Sequence, residues 1–146
     1  MDITVEPRTR LRGYAPRVWP PEVEQVASFL RAIGAEARLE ELAPGEDDFP
    51  GVGVRIHAFE SAGRRIVTLV PADRDVDPTK LGAADARPAV QPAFPFAHAD
   101  VRIEKTLLVE RTVWIHAGSP RHVVGMSPVQ LSRLVRAAPA DLVAEV

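Results

Sequence analysis

Residues 112–130 constrain the fold more than any other stretch of this chain. They read Thr-Val-Trp-Ile-His-Ala-Gly-Ser-Pro, then Arg-His-Val-Val-Gly-Met, then Ser-Pro-Val-Gln. Thr112 to His116 favour a strand, because β-branched and aromatic side chains suit a pleated, half-buried surface. Gly118-Ser119-Pro120 is expected to break that strand, since glycine supplies unusual backbone angles and proline removes a donor. His122 to Met126 reads as the return strand. Ser127 then caps a helix that has Pro128 at its first position and Gln130 three residues after the cap. The stretch is a strand, a polar turn, a strand and a capped helix, and the turn can present polar groups to a ligand.

The rest of the chain supplies partners for this unit. Pro20-Pro21 precede a helix in which Val23, Val26, Ala27, Leu30 and Ile33 recur at helical spacing, and Gly34 ends it. Ala35 to Leu42 reads as a short strand entering an acidic loop, Ala43 to Asp48. Val52 to Phe59 alternates: Val52, Val54, Ile56 and Ala58 belong to a core face, and Gly53, Arg55, His57 and Phe59 lie opposite. That second row, a cation, an imidazole and a ring, suits a pocket lining or a solvent-facing strand surface equally. Ala62-Gly63 make a hairpin turn before a strand over Arg65 to Val70. Asp77 can cap a short helix begun by Pro78, and residues 82–92 read as a loop. Val101 to Glu104 is a short strand, and Leu107-Leu108 a buried turn. Leu131, Leu134 and Val135 face the last helix inward. Helices mixed with hairpins predict an α+β fold with a curved mixed or antiparallel sheet.

At 146 residues, with 46% hydrophobic and 26% charged residues, the chain suits one domain with a proper core. Residues 1–20 form an N-terminal arm and 21–146 the domain. The arm carries Arg8, Arg10, Arg12 and Arg17 and suits either a loosely held terminus or a basic contact with RNA phosphates. The net charge of −2 argues against a protein that coats nucleic-acid backbones. With no cysteine, disulfides and thiolate chemistry are excluded. No apolar run is long enough to span a membrane, and the N-terminus lacks a signal-peptide core, so a cytoplasmic protein is expected.

Several chemical motifs fail on inspection. Asp73, Asp75 and Asp77 begin like a calcium loop, but Pro78 and Ala84 stand where Gly and Glu are needed. None of His57, His98, His116 and His122 pairs at the i, i+4 spacing of a helical metal site, although His116 and His122 flank the turn. Gly51-Val52-Gly53 lacks the further residues of a phosphate loop, and no Gly-x-Ser-x-Gly elbow is present. The residues alone describe a soluble α+β domain with a polar turn and one pocket-like strand face.

A resemblance goes further. Phe94-Pro95-Phe96-Ala97-His98, Val101 to Glu104, Leu107-Leu108, Val113-Trp114, Ala117-Gly118-Ser119-Pro120, Val123 to Met126 and Ser127-Pro128 follow one another in a characteristic order. Upstream, the first helix, Leu69-Val70-Pro71-Ala72-Asp73 and Asp77 with Lys80-Leu81 continue it. Over about residues 22–143 the chain resembles the YbaK/ProX family of aminoacyl-tRNA editing domains. That resemblance implies a metal-free hydrolase, without cofactor, of the ester between a wrong amino acid and the tRNA 3′ end. Ester hydrolysis of this kind needs a positioned water and stabilised oxyanion charge.

By the same resemblance, Arg55 stands at the family's pocket lysine, keeping the charge on a planar group that is never deprotonated. The catalytic candidates are Arg55, His57 and His116, with the imidazoles orienting water. The substrate-binding candidates are Phe59, Pro95, Phe96, His98, Gly118 and Ser119. The chain departs from the family in the helix missing before Val54, in a shortened segment before Phe94, and at Phe94, Ala97, Glu104 and His116. Those departures leave two alternatives beside a trans-acting deacylase: a module that binds an aminoacyl-RNA end or small ligand without catalysis, and a protein-interaction domain.

Overall fold

The computed structural model describes residues 4–5, 19–46 and 48–144. The arm expected over residues 1–20, with its four arginines, lies outside them except for Trp19, Pro20 and a two-residue strand, β1 (Thr4–Val5), which pairs in parallel with β2 (Arg38–Glu41).

Helix α1 (Pro21–Ala32) forms where the apolar spacing predicts it. Pro21 opens it, Glu22 and Glu24 suit the positive end of the helix dipole, and Arg31 suits the negative end. Gly34, at φ +68, closes it: Ala35 N–H donates to Leu30 O and Gly34 N–H to Arg31 O, the paired bonds of a Schellman cap. Val23, Val26, Ala27 and Leu30 face the core. Each of the valine and leucine side chains contributes about 1.5–3 kcal/mol by leaving water. Ile33, expected among them, is 45% exposed because the cap turns it outward.

The α+β class holds, with the strands in two mixed sheets. One runs β1, β2, β8 (His122–Met126), β7 (Val113–Ser119). The other runs β5 (Arg87–Pro88), β3 (Val54–Ser61), β4 (Arg64–Pro71), β6 (Asp100–Glu104), β9 (Ala138–Ala140). Pairing is antiparallel for β2–β8, β7–β8, β3–β4 and β3–β5, and parallel for β4–β6 and β6–β9. Helix α2 (Pro128–Val135) is capped as expected, Ser127 Oγ accepting from Gln130 N–H at 3.1 Å.

The main core lies between the inner faces of the sheets and the two helices. Val54, Ala58, Val67, Leu69, Val101 and Ile103 enter it from the second sheet, and Leu39, Val113, Ile115 and Val124 from the first. The alternation of β3 therefore reads correctly, except that Val52 precedes the strand and is 37% exposed. A smaller cluster fills the outer face of the second sheet, where Phe59, Ile66 and Val70 meet Leu81, Leu142 and Val143. The C-terminal segment is strapped over this face by Asp77 N–H to Leu142 O, Ala144 N–H to Asp75 O, and Lys80 to both Asp141 and Val143 O.

The expected break at Gly118-Ser119-Pro120 is a correction. Strand β7 runs through Gly118 and Ser119, with a shift of register between His116 and Ser119. Ala117 and Gly118 are both extra on this strand, and Gly118 at φ +90 supplies a backbone angle the irregularity needs. A Cβ there would also lie 2.9 Å from Glu22 backbone carbon, so the glycine lets α1 close on the strand. Among the described residues, no helix is long and apolar enough to cross a membrane.

Candidate functional site

The two sheets meet where β3 begins. Trp114 N–H donates to Val52 O at 2.9 Å, and Gly53 bridges Trp114 in parallel. Two loops are anchored on Gly53. Phe49 lies over its α-carbon so closely that a Cβ would fall 2.1 Å from the ring. Ala72 N–H donates to Gly53 O at 2.9 Å, which fixes the turn after β4. Above this seam opens a cleft of about 750 Å³, lined among others by Asp48, Phe49, Arg55, Asp73, Gln91 and His116.

Arg55 projects from β3 and is exposed. Among the described residues it makes no hydrogen bond or ion pair, although arginine readily finds one. His116 comes from β7 across the seam, its ring 4.7 Å from that of Phe49 and tilted by 40°. Partial burial lowers its pKa from the ordinary histidine value, so the ring is neutral at pH 7 and keeps a free lone pair. A permanent cation and a neutral imidazole thus line one cleft from two strands.

His57 takes a different position. It shares the outer face of the second sheet with Arg55 and Phe59, half-buried, and does not line the cleft. Its Nε2 is buried and has no hydrogen-bond partner among the described residues. Burial lowers its pKa, the charge of Arg55 lowers it further, and Asp75 opposes both.

The remaining expected site residues also lie outside this cleft. Phe59 packs in the outer cluster. Phe96 is 2% exposed in the main core, where its ring and that of Phe29 meet Phe94 edge-on. Pro95 sits half-buried between them. His98, at φ +65, borders a second depression of about 590 Å³ with Arg64, Arg65 and Glu60. Ser119 turns the β7–β8 hairpin, accepting from Arg121 N–H and lying 3.0 Å from His122 Nδ1. Gly118 faces α1. Of the expected set, the cleft brings together Arg55 and His116.

Sequence reasoning missed Asp48, Phe49, Asp73 and Gln91. All four sit in loops, where no periodicity marks a site residue. The one usable signal was Phe49, a ring between an acidic run and Pro50-Gly51. No group of three or more His, Asp or Glu suited to a metal ion occurs among the described residues.

The chain matches no protein-family model. No curated protein matches it either. Solved structures do. A candidate trans-editing enzyme for prolyl tRNA synthetase superposes with a TM-score of 0.75 at 20% identity, over 88% of this chain and 100% of that one. A scaffold protein bearing a computationally grafted epitope gives 0.73 at 20% identity, again over 88% and 100%. The hypothetical protein APE2540 gives 0.68 at 17% identity, over 84% and 99%. At these identities the likeness establishes the fold, which is the one the sequence resemblance implied.

Proposed function

We propose that this protein hydrolyses the ester linking a wrongly attached amino acid to the 3′ end of tRNA, acting in trans on released aminoacyl-tRNA in the cytoplasm. The observation that carries this reading is the unpaired Arg55 guanidinium sharing a cleft with the neutral His116 imidazole. The shared fold with a candidate trans-editing enzyme for prolyl tRNA synthetase supports it.

The chemistry follows from the two groups. Water attacks the ester carbonyl carbon while His116 accepts a proton from it, an assistance worth about 10²–10⁴ in rate. Negative charge gathers on the carbonyl oxygen, where the Arg55 guanidinium stabilises it. Loss of one such donor typically costs about 10²–10³ in rate. The intermediate collapses by breaking the bond to the ribose oxygen. That oxygen takes the proton held by His116, and free amino acid and uncharged tRNA leave.

The test is release of amino acid from tRNAs mischarged with Ala, Ser, Cys or Pro. Release above the protein-free rate is expected for at least one, and none for any of the four overturns the reading. A second reading, binding of the aminoacyl end without hydrolysis, is favoured by His57 lying off the cleft, which leaves a single imidazole for proton transfer.

A further inference from the structure

We infer that Asp48 and Asp73 make the cleft selective for ligands with a free ammonium group, so that an aminoacyl end is accepted only when its α-amino group is unmodified. This rests on the aminoacyl-ester reading above and names what that site selects.

The charge inventory of the cleft motivates it. Its lining holds one guanidinium, Arg55, and two carboxylates, Asp48 and Asp73, with Gln91 and His116 as neutral polar groups. Neither carboxylate makes a hydrogen bond or ion pair among the described residues, and the same is true of Arg55. All three are exposed, so their charges are open to a ligand that enters the cleft. Left to Arg55 alone, the cleft would suit any anion. With the carboxylates its sum is negative, so a bare anion gains at Arg55 and loses at both aspartates. An aminoacyl ester offers the complementary pattern: a carbonyl oxygen and a nearby phosphate for the guanidinium, and an α-ammonium for the carboxylates.

The backbone holds these groups ready. Asp48 immediately precedes Phe49, whose ring covers Gly53, and Asp73 immediately follows Ala72, which donates to Gly53 O. Arg74 N–H donates to Pro71 O and closes the turn that carries Asp73. The segments that carry both carboxylates are therefore anchored at the residue that precedes Val54-Arg55. The same cleft is a poor metal site, since two carboxylates share it with a fixed cation and no third acidic or imidazole group joins them in a metal-binding cluster among the described residues.

The experiment uses a short RNA ending in CCA whose terminal alanine is joined by an amide in place of the ester, so that it binds without being hydrolysed. Its affinity is measured at pH 7 in the free-amine form and in the N-acetylated form. The free amine should bind about tenfold tighter to the unaltered protein, the difference expected for charge-assisted hydrogen bonds. In the folded Asp48→Asn, Asp73→Asn double variant the two forms should bind alike. Equal affinities in the unaltered protein, or a preference that survives in the double variant, overturn the inference while the deacylase reading stands on its own assay. A preference that disappears in EDTA assigns the carboxylates to a metal ion and also overturns it. No binding of either form removes the inference and the aminoacyl reading together.

Discussion

The chemistry proposed for the cleft rests on two side chains that differ in how titration touches them. Arg55 is charged at every working pH. His116 is useful only when neutral, and burial lowers its pKa. Loss of activity with acid should therefore report His116 alone. Deacylation is expected to show an acid limb whose midpoint lies below the ordinary histidine value of 6.5. A pH–rate profile checks this. The acid limb should vanish in His116→Gln, whose rate is lower by about 10²–10⁴, and a limb centred above 6.5 would contradict the assignment. Both residues were legible in the sequence, because a cation on an alternating strand and a histidine beside a turn are visible as types. His57 was equally visible, and its role was not. Alternation puts it on the face of Arg55, but only the folded chain reveals that the outer cluster and the C-terminal strap occupy that face.

Two contacts between elements carry predictions. At the seam, Gly53 admits Phe49 because it has no Cβ. Gly53→Ala forces the ring away, costs about 1–3 kcal/mol of stability, and strips Phe49 from His116. Urea denaturation and a raised KM for deacylation check the two effects. A variant unchanged in both would show that the ring has room to move. At the end of β6, Glu104 is 1% exposed and clamps two segments, Oε1 accepting from Leu142 N–H and Oε2 from Thr106 N–H, each at 2.8 Å. Burial by itself raises this carboxyl, but the backbone donors outweigh it and hold its pKa below the usual glutamate range. The clamp therefore stabilises the fold above that range and is lost as pH falls through the depressed value. Glu104→Gln keeps one acceptor and opposes the other amide with a donor, a loss of about 1–3 kcal/mol at pH 7. The gap from the unaltered protein should narrow in acid, as denaturation at pH 7 and pH 3 would reveal. The element boundaries were largely legible, since caps and periodicity are local. The continuation of β7 through Gly118 was not, because it depends on α1 approaching from elsewhere in the chain.

Across the whole molecule, the cleft belongs to neither sheet. It forms where β3 leaves the bridge to β7, walled by loops that precede β3 and follow β4. This is why the fold class was accessible from the order of elements while most of the site was not. Asp48, Phe49 and Asp73 come together through Gly53, a relation between distant segments that no local pattern encodes. Gly118, where the sequence suggested a turn facing a pocket, lies within β7 and packs against α1 instead. The central claim is that this seam cleft, through Arg55, cleaves the aminoacyl ester. The most direct measurement is the single-turnover rate of amino-acid release from a mischarged tRNA, for the unaltered protein and for Arg55→Ala side by side. The account predicts release by the unaltered protein and a rate about 10²–10³ lower in the variant. Equal rates in the two proteins, with the variant folded, would contradict it.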